Sequence, residues 1–136
     1  MTRHSPASIS TIVVTAAVIE QNGRFLVTKR QRGVHLEGLW EFPGGKCDAS
    51  EDLRSCLVRE LKEELAVAAQ VGAEILTTTH AYDDRRVELH FMSCELLGNP
   101  MPEVGQQIRW VTRAELATLQ FPPADVELIR LLVNER

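Results

Sequence analysis

One stretch, GGKCDASEDLRSCLVRELKEE from Gly44 to Glu64, constrains this chain more than any other. It starts as a glycine turn, passes through a short polar loop and reads as a helix from about Ser50. Leu53, Leu57, Leu61 and Leu65 recur at every fourth position, which makes one apolar stripe that must lie against a core. Glu60, Glu63 and Glu64 fall off that stripe. At about 100° per residue, Glu63 and Glu64 project within about 60° of Glu60, so three carboxylates share one face. Like charges at this spacing repel by a few tenths of a kcal/mol per pair. A divalent cation offsets that repulsion, and carboxylate oxygens suit hard ions such as Mg²⁺ or Mn²⁺.

The rest of the chain sets bounds on what surrounds this helix. Its 136 residues fit a single domain with a sizeable core, residues 9–136, behind a frayed tail at Met1–Ser8. A net charge of −4 argues against bulk binding to nucleic acid polymers or an anionic membrane, while leaving room for a small anion held through metal. No run approaches the roughly 18 apolar residues a membrane helix needs. Three cysteines, Cys47, Cys56 and Cys94, show no CxxC spacing. They argue against a disulfide framework or a zinc site and for a reducing cytoplasm, with Cys56 a small packing residue in the helix.

Thr11–Glu20 and Arg24–Arg30 read as strands around an Asn22-Gly23 turn. The apolar run Thr11–Ile19 faintly resembles a signal peptide, but its β-branched residues and the turn that follows favour a strand. Gln31–Gly38 is a polar loop carrying Arg32 and His35, and Leu39–Pro43 an extended approach to the glycines. After the helix, Gln70–His80 reads as a strand. Arg86–Leu97 alternates, with Val87, Leu89 and Phe91 on one side and Glu88, His90 and Met92 on the other. Ile108–Val111 is a short strand, and Thr112-Arg113-Ala114-Glu115 has the capping-box form. Asp125–Val133 is a final helix with Val126, Ile129, Leu132 and Val133 inward. The mixed order of elements predicts an α/β chain with a mixed sheet between helices.

Gly45, five residues, Glu51, seven residues and then Arg59-Glu60-Leu61-Lys62-Glu63-Glu64 resemble the Nudix box, GX5EX7REUXEEXGU, with U a bulky aliphatic. The one departure is Ala66 in place of glycine, at a helix end where glycine eases the turn. Leu39–Lys46 and Phe121–Asp125 also resemble MutT-like members of that family, and the likeness covers most of Ile12–Leu132.

The resemblance implies a Nudix α/β/α sandwich and a Mg²⁺-dependent (Mn²⁺ as the alternative ion) nucleoside triphosphate pyrophosphohydrolase. Its substrates would be of the 8-oxo-dGTP or CTP/dCTP type. It implies Glu60, Glu63 and Glu64 as metal ligands with the Gly44 carbonyl, Glu51 completing the shell through water, and Arg59 orienting the glutamates. The general base is Glu103 or Glu60. Lys46 meets a phosphate, Arg30 the ribose or a phosphate, Phe42 lines the nucleoside pocket and Asp125 reads the base. The partner is a small-molecule nucleotide, the location cytoplasmic, and the protein a monomer or homodimer.

Each assignment has a plainer alternative. Asp125 equally suits a helix N-cap, and Arg30, Arg32 and His35 a solvated loop. Trp40 and Trp110 suit the core, and His80 and His90 structural or surface positions. Two other functions share the box: hydrolysis of another nucleoside diphosphate-X compound, such as a nucleotide sugar, ADP-ribose or dinucleotide polyphosphate, and a non-catalytic nucleotide-binding domain.

Overall fold

The computed structural model describes residues 10–30, 38–103 and 105–134. The expected tail at Met1–Ser8 and the loop residues Arg32 and His35 lie outside them. The elements are β1 (Ser10–Val18), β2 (Glu20–Gln21), β3 (Arg24–Lys29), β4 (Trp40–Glu41), β5 (Gly44–Lys46) and α1 (Leu53–Leu65), then β6 (Ala69–Ala81), β7 (Arg85–Leu96), β8 (Gln107–Thr112), α2 (Arg113–Leu116), a 3-10 turn (Pro123–Asp125) and α3 (Val126–Asn134).

A mixed sheet runs in the order β5-β1-β7-β6, with β1 and β7 parallel and the other pairs antiparallel. A second, antiparallel sheet, which the sequence reading merged with the first, joins β2, β4 and β8 to β3. The two sheets share the core because their strands are apolar on both faces. Ala16, Val18, Phe25, Val27, Leu89 and Phe91 pack toward α2 and α3, in a cluster that contains Leu116, Leu128 and Leu132. Ala17, Ile19, Leu26, Met92 and Leu96 form a second cluster with Leu57, Leu61 and Leu65 of α1.

This double-sided burial corrects the reading of Met92 as an outward residue. It is buried against the leucines of α1, because β7 lies inside its sheet rather than at a solvent face. The expected stripe on α1 is present: Leu57, Leu61 and Leu65 are 0% exposed. Asp52 caps the helix, its side chain accepting from the Ser55 N–H at 2.8 Å. Ala66 ends it in the left-handed region at φ 52°.

The phase of α3 also differs from expectation. Val126 is 47% exposed, while Leu128 is buried. The 3-10 turn turns Asp125 inward, and a residue one step further on a helix projects about 100° away. The capping box on α2 forms as predicted, Thr112 and Glu115 each bonding the other's backbone.

Candidate active site

β1 and β5 bring the glycine turn beside α1. Thr15 pairs with Gly45 and Ala16 with Gly44 across this antiparallel ladder. A Cβ on Gly44 would run into the Thr15 carbonyl oxygen, and one on Gly45 into the Glu60 carboxylate. The two glycines therefore let the loop lie flat on β1 while Glu60 packs against its backbone.

Arg59 organises the loop and the acidic face. Its Nε and Nη2 donate to the two oxygens of Glu51 at 2.6 and 2.8 Å. Nη2 also donates to the Lys46 carbonyl at 3.1 Å, and Nη1 to Glu60 at 2.9 Å and to Glu63 at 3.2 Å. The hydrogen bonds from Arg59, with one from the Asp48 N–H, hold the Glu51 carboxyl down at about 2.

The other glutamates of this face are perturbed upward. Burial, with the charge of Glu41 next and that of Glu60 smaller, raises Glu64 to about 8. Burial likewise raises Glu60, against the pull of Arg59. Glu63 stays largely in solvent, its side chain 61% exposed. The Met101–Glu103 loop is tied to the end of α1: the Glu103 N–H donates to the Glu64 carbonyl at 3.0 Å, and the Met101 N–H to Leu65 at 2.8 Å. Glu103 is thus held by its backbone at the end of α1, with an exposed side chain.

From this face a cleft of about 350 Å³ runs across β1 and β7 to the 3-10 turn. Arg30, Phe42, Gly44, Lys46, Glu64 and Asp125 all line it, so residues from distant parts of the chain share one cavity. Phe42 belongs to both readings, buried in the core against Phe91 and Phe121 and also lining the cleft. A larger groove, about 680 Å³, lies between α2 and α3 and contains none of the expected site residues.

The family model described as a NUDIX domain matches residues 14–131. The chain belongs to the Nudix family. The CTP pyrophosphohydrolase of Escherichia coli K12 is 34% identical over 126 residues, covering 92% of this chain and 93% of that protein. The 8-oxo-dGTP diphosphatase of Haemophilus influenzae is 36% identical over 127 residues, covering 91% and 93%. The solution structure of the E. coli ORF135 protein superposes with a TM-score of 0.83 at 33% identity, covering 93% of this chain and 91% of that one. This Nudix chain is accordingly a hydrolase of a phosphoric anhydride bond, of a family that depends generally on divalent metal.

The residues present fit such a cation. Glu64 Oε1 is buried without a hydrogen-bond partner, and burial raises the carboxyls of both Glu60 and Glu64, a shift that a bound cation would oppose. Carboxylate oxygens are the donors a hard ion prefers.

Asp125 is 5% exposed and makes no hydrogen bond capping α3 among the described residues. Burial, then the neighbouring charge of Glu41, raises its carboxyl to about 7. Glu41 is the cleft residue that sequence reasoning missed. It pairs with Arg30 at 2.9 Å, and the only hint was an acid between two aromatics in Trp40-Glu41-Phe42. Trp40 and Trp110 pack on the two cores as expected. His90 sits between Glu74 and Glu88, at 2.7 and 2.9 Å, in a structural role.

The cysteines require a correction. Cys47 and Cys56 form a disulfide, and Cys94 alone is free. The separation of nine positions hides the contact in sequence; the turn from β5 into α1 closes it to a Cα–Cα distance of 5.4 Å.

Proposed function

We propose that this chain is a Mg²⁺-dependent nucleoside triphosphate pyrophosphohydrolase of MutT-like type, with Mn²⁺ as an alternative ion. It converts a nucleoside triphosphate and water into a nucleoside monophosphate and pyrophosphate, and sanitises a cytoplasmic nucleotide pool. The substrate is an 8-oxo-dGTP or CTP/dCTP-type nucleotide. The observation that carries this reading is the one cleft lined by the box residues Glu64 and Gly44 together with Glu41, Phe42 and Asp125.

In this reading Glu60, Glu63, Glu64 and the Gly44 carbonyl hold the metal, which neutralises phosphate oxygens and makes water a better nucleophile. Arg59 orients Glu60 and Glu63 and, through Glu51, the loop itself. Glu60 or Glu103 takes the proton from the attacking water, and Lys46 meets a phosphate as a point charge. Arg30, held by Glu41, contacts ribose or phosphate. Asp125 reads the base. With its carboxyl near 7, it is shared between a carboxylate that only accepts and an acid that also donates, so it suits bases presenting both an N–H and a carbonyl edge.

Incubation of the protein and Mg²⁺ with a panel of canonical and oxidised nucleotides, measuring pyrophosphate, tests this. Pyrophosphate release from 8-oxo-dGTP, CTP or dCTP supports it. Release of phosphate alone, or no turnover of any triphosphate, overturns it.

A further inference from the structure

The Nudix chemistry uses the oxygen side of the loop and leaves a sulfur side unexplained. Cys47 follows the last residue of β5, and Cys56 sits fully buried in the first turns of α1. Glu51 lies between them in the chain. The two sulfurs and a Glu51 carboxylate oxygen all fall within 4.8 Å of one another. The Thr15 hydroxyl is 3.3 Å from Cys56 Sγ and 3.8 Å from Cys47 Sγ. Disulfide sulfurs carry no proton, so this hydroxyl is the donor in the oxidised form.

We propose that Cys47, Cys56 and Glu51 form a second, soft-metal site that opens when the disulfide is reduced and takes a cation of the Zn²⁺ class. Reduction breaks the S–S bond. A dithiol donor supplies two electrons and two protons and itself closes to a disulfide. The incoming cation displaces both thiol protons to solvent, since the thiolate is the ligand. Two thiolates and one carboxylate supply three ligands of a tetrahedral set, with water for the fourth. This donor set rejects Mg²⁺, which takes oxygen ligands in near-octahedral order. The oxygen face of Glu60, Glu63 and Glu64 has the opposite preference, so the two sites discriminate by donor type.

Arg59 couples them. The Glu51 oxygens that would turn to the soft cation are those that receive Arg59 Nε and Nη2, and the same guanidinium steadies Glu60 and Glu63. A cation at the sulfurs weakens that grip, so occupancy slows turnover at the oxygen face. Cys94 does not share the site. It is a separate free cysteine, and burial pushes its thiol up to about 11, which makes it a poor ligand at neutral pH.

The test is a Cd²⁺ titration of the full chain, followed by the ultraviolet thiolate-to-metal charge-transfer band, before and after reduction with a phosphine. The expected result is one Cd²⁺ per reduced chain, none in the oxidised chain, and displacement of Cd²⁺ by Zn²⁺. Cys47→Ser should abolish the band, and Cys94→Ser and Glu63→Gln should keep it. Cys56 is buried, so Cys56→Ser is read only alongside a circular dichroism spectrum matching the parent, and Cys47→Ser decides if it does not. A reduced chain without the band, or a band that survives Cys47→Ser, overturns the proposal. Because the readout is spectroscopic, its failure is separate from failure of the nucleotide assay.

Discussion

Replacing Ala66 with glycine should stabilise this protein without touching the cleft. Ala66 holds φ 52° and ψ 39° at the end of α1, its N–H donating to the Lys62 carbonyl at 3.0 Å. The left-handed region costs an L-residue about 1–2 kcal/mol, because Cβ crowds the following carbonyl. Glycine escapes that cost but loses about 0.4–1 kcal/mol through the greater freedom of its unfolded chain. The Ala66 side chain is exposed, so removing its methyl group leaves no cavity. The net gain is about 0.5–1 kcal/mol. At about 2.1 cal/mol/K of unfolding entropy per residue over 136 residues, the melting temperature rises by about 2–4 °C. Thermal unfolding followed by circular dichroism at fixed pH and Mg²⁺ measures this, with Ala66→Val as the opposite control, since a β-branched residue fits the left-handed region worse. An unchanged or lower melting temperature for Ala66→Gly would show that this helix end carries no such strain.

Three further outcomes follow from the site. Glu63→Gln should remove most Mg²⁺-dependent pyrophosphate release while leaving the fold intact by circular dichroism; an undiminished rate refutes its place among the ligands. Mg²⁺ should raise the melting temperature by binding the native state alone, and Glu64→Gln should shrink that rise, because the unpartnered Oε1 is the atom the ion would satisfy. An equal rise in both proteins counts against Glu64 as a ligand. Asp125 should make stability fall with pH. Its native value, about 7, lies above the ordinary 3.8, so the native state holds the proton more tightly. That stabilisation is full below about pH 4 and lost as pH rises through about 7. Urea denaturation should therefore show Asp125→Asn gaining on the parent between about pH 4 and 7, and a gap that moves the other way refutes the buried, raised carboxyl.

Much of the acidic face was legible because it is local. The spacing of Leu57, Leu61 and Leu65 announced a buried stripe, and the same helical period placed Glu60, Glu63 and Glu64 together. Ala66 was legible as a helix-end position because it departs from the glycine of the Nudix box, and its left-handed backbone bears this out. Legibility declined with sequence distance. Met92 was misplaced because alternation reports the period of a strand and not whether both its faces are covered. Val126 was misplaced because a single 3-10 turn shifts the phase of a helix and leaves no mark on its apolar pattern.

The sequence by itself determined the acidic helix, its glycine turn and the capping box, since each depends on residues close along the chain, and the resemblance carried by that helix and turn implied the class of reaction. Tertiary structure alone decided what the cleft contains. It set Glu41 against Arg30 and near Asp125, residues separated by more than ten positions, and desolvated Asp125 and Glu64 until their carboxyls rose. It also closed Cys47 onto Cys56. Burial and charge proximity are properties of packing, and packing depends on which faces the two sheets and α1 cover.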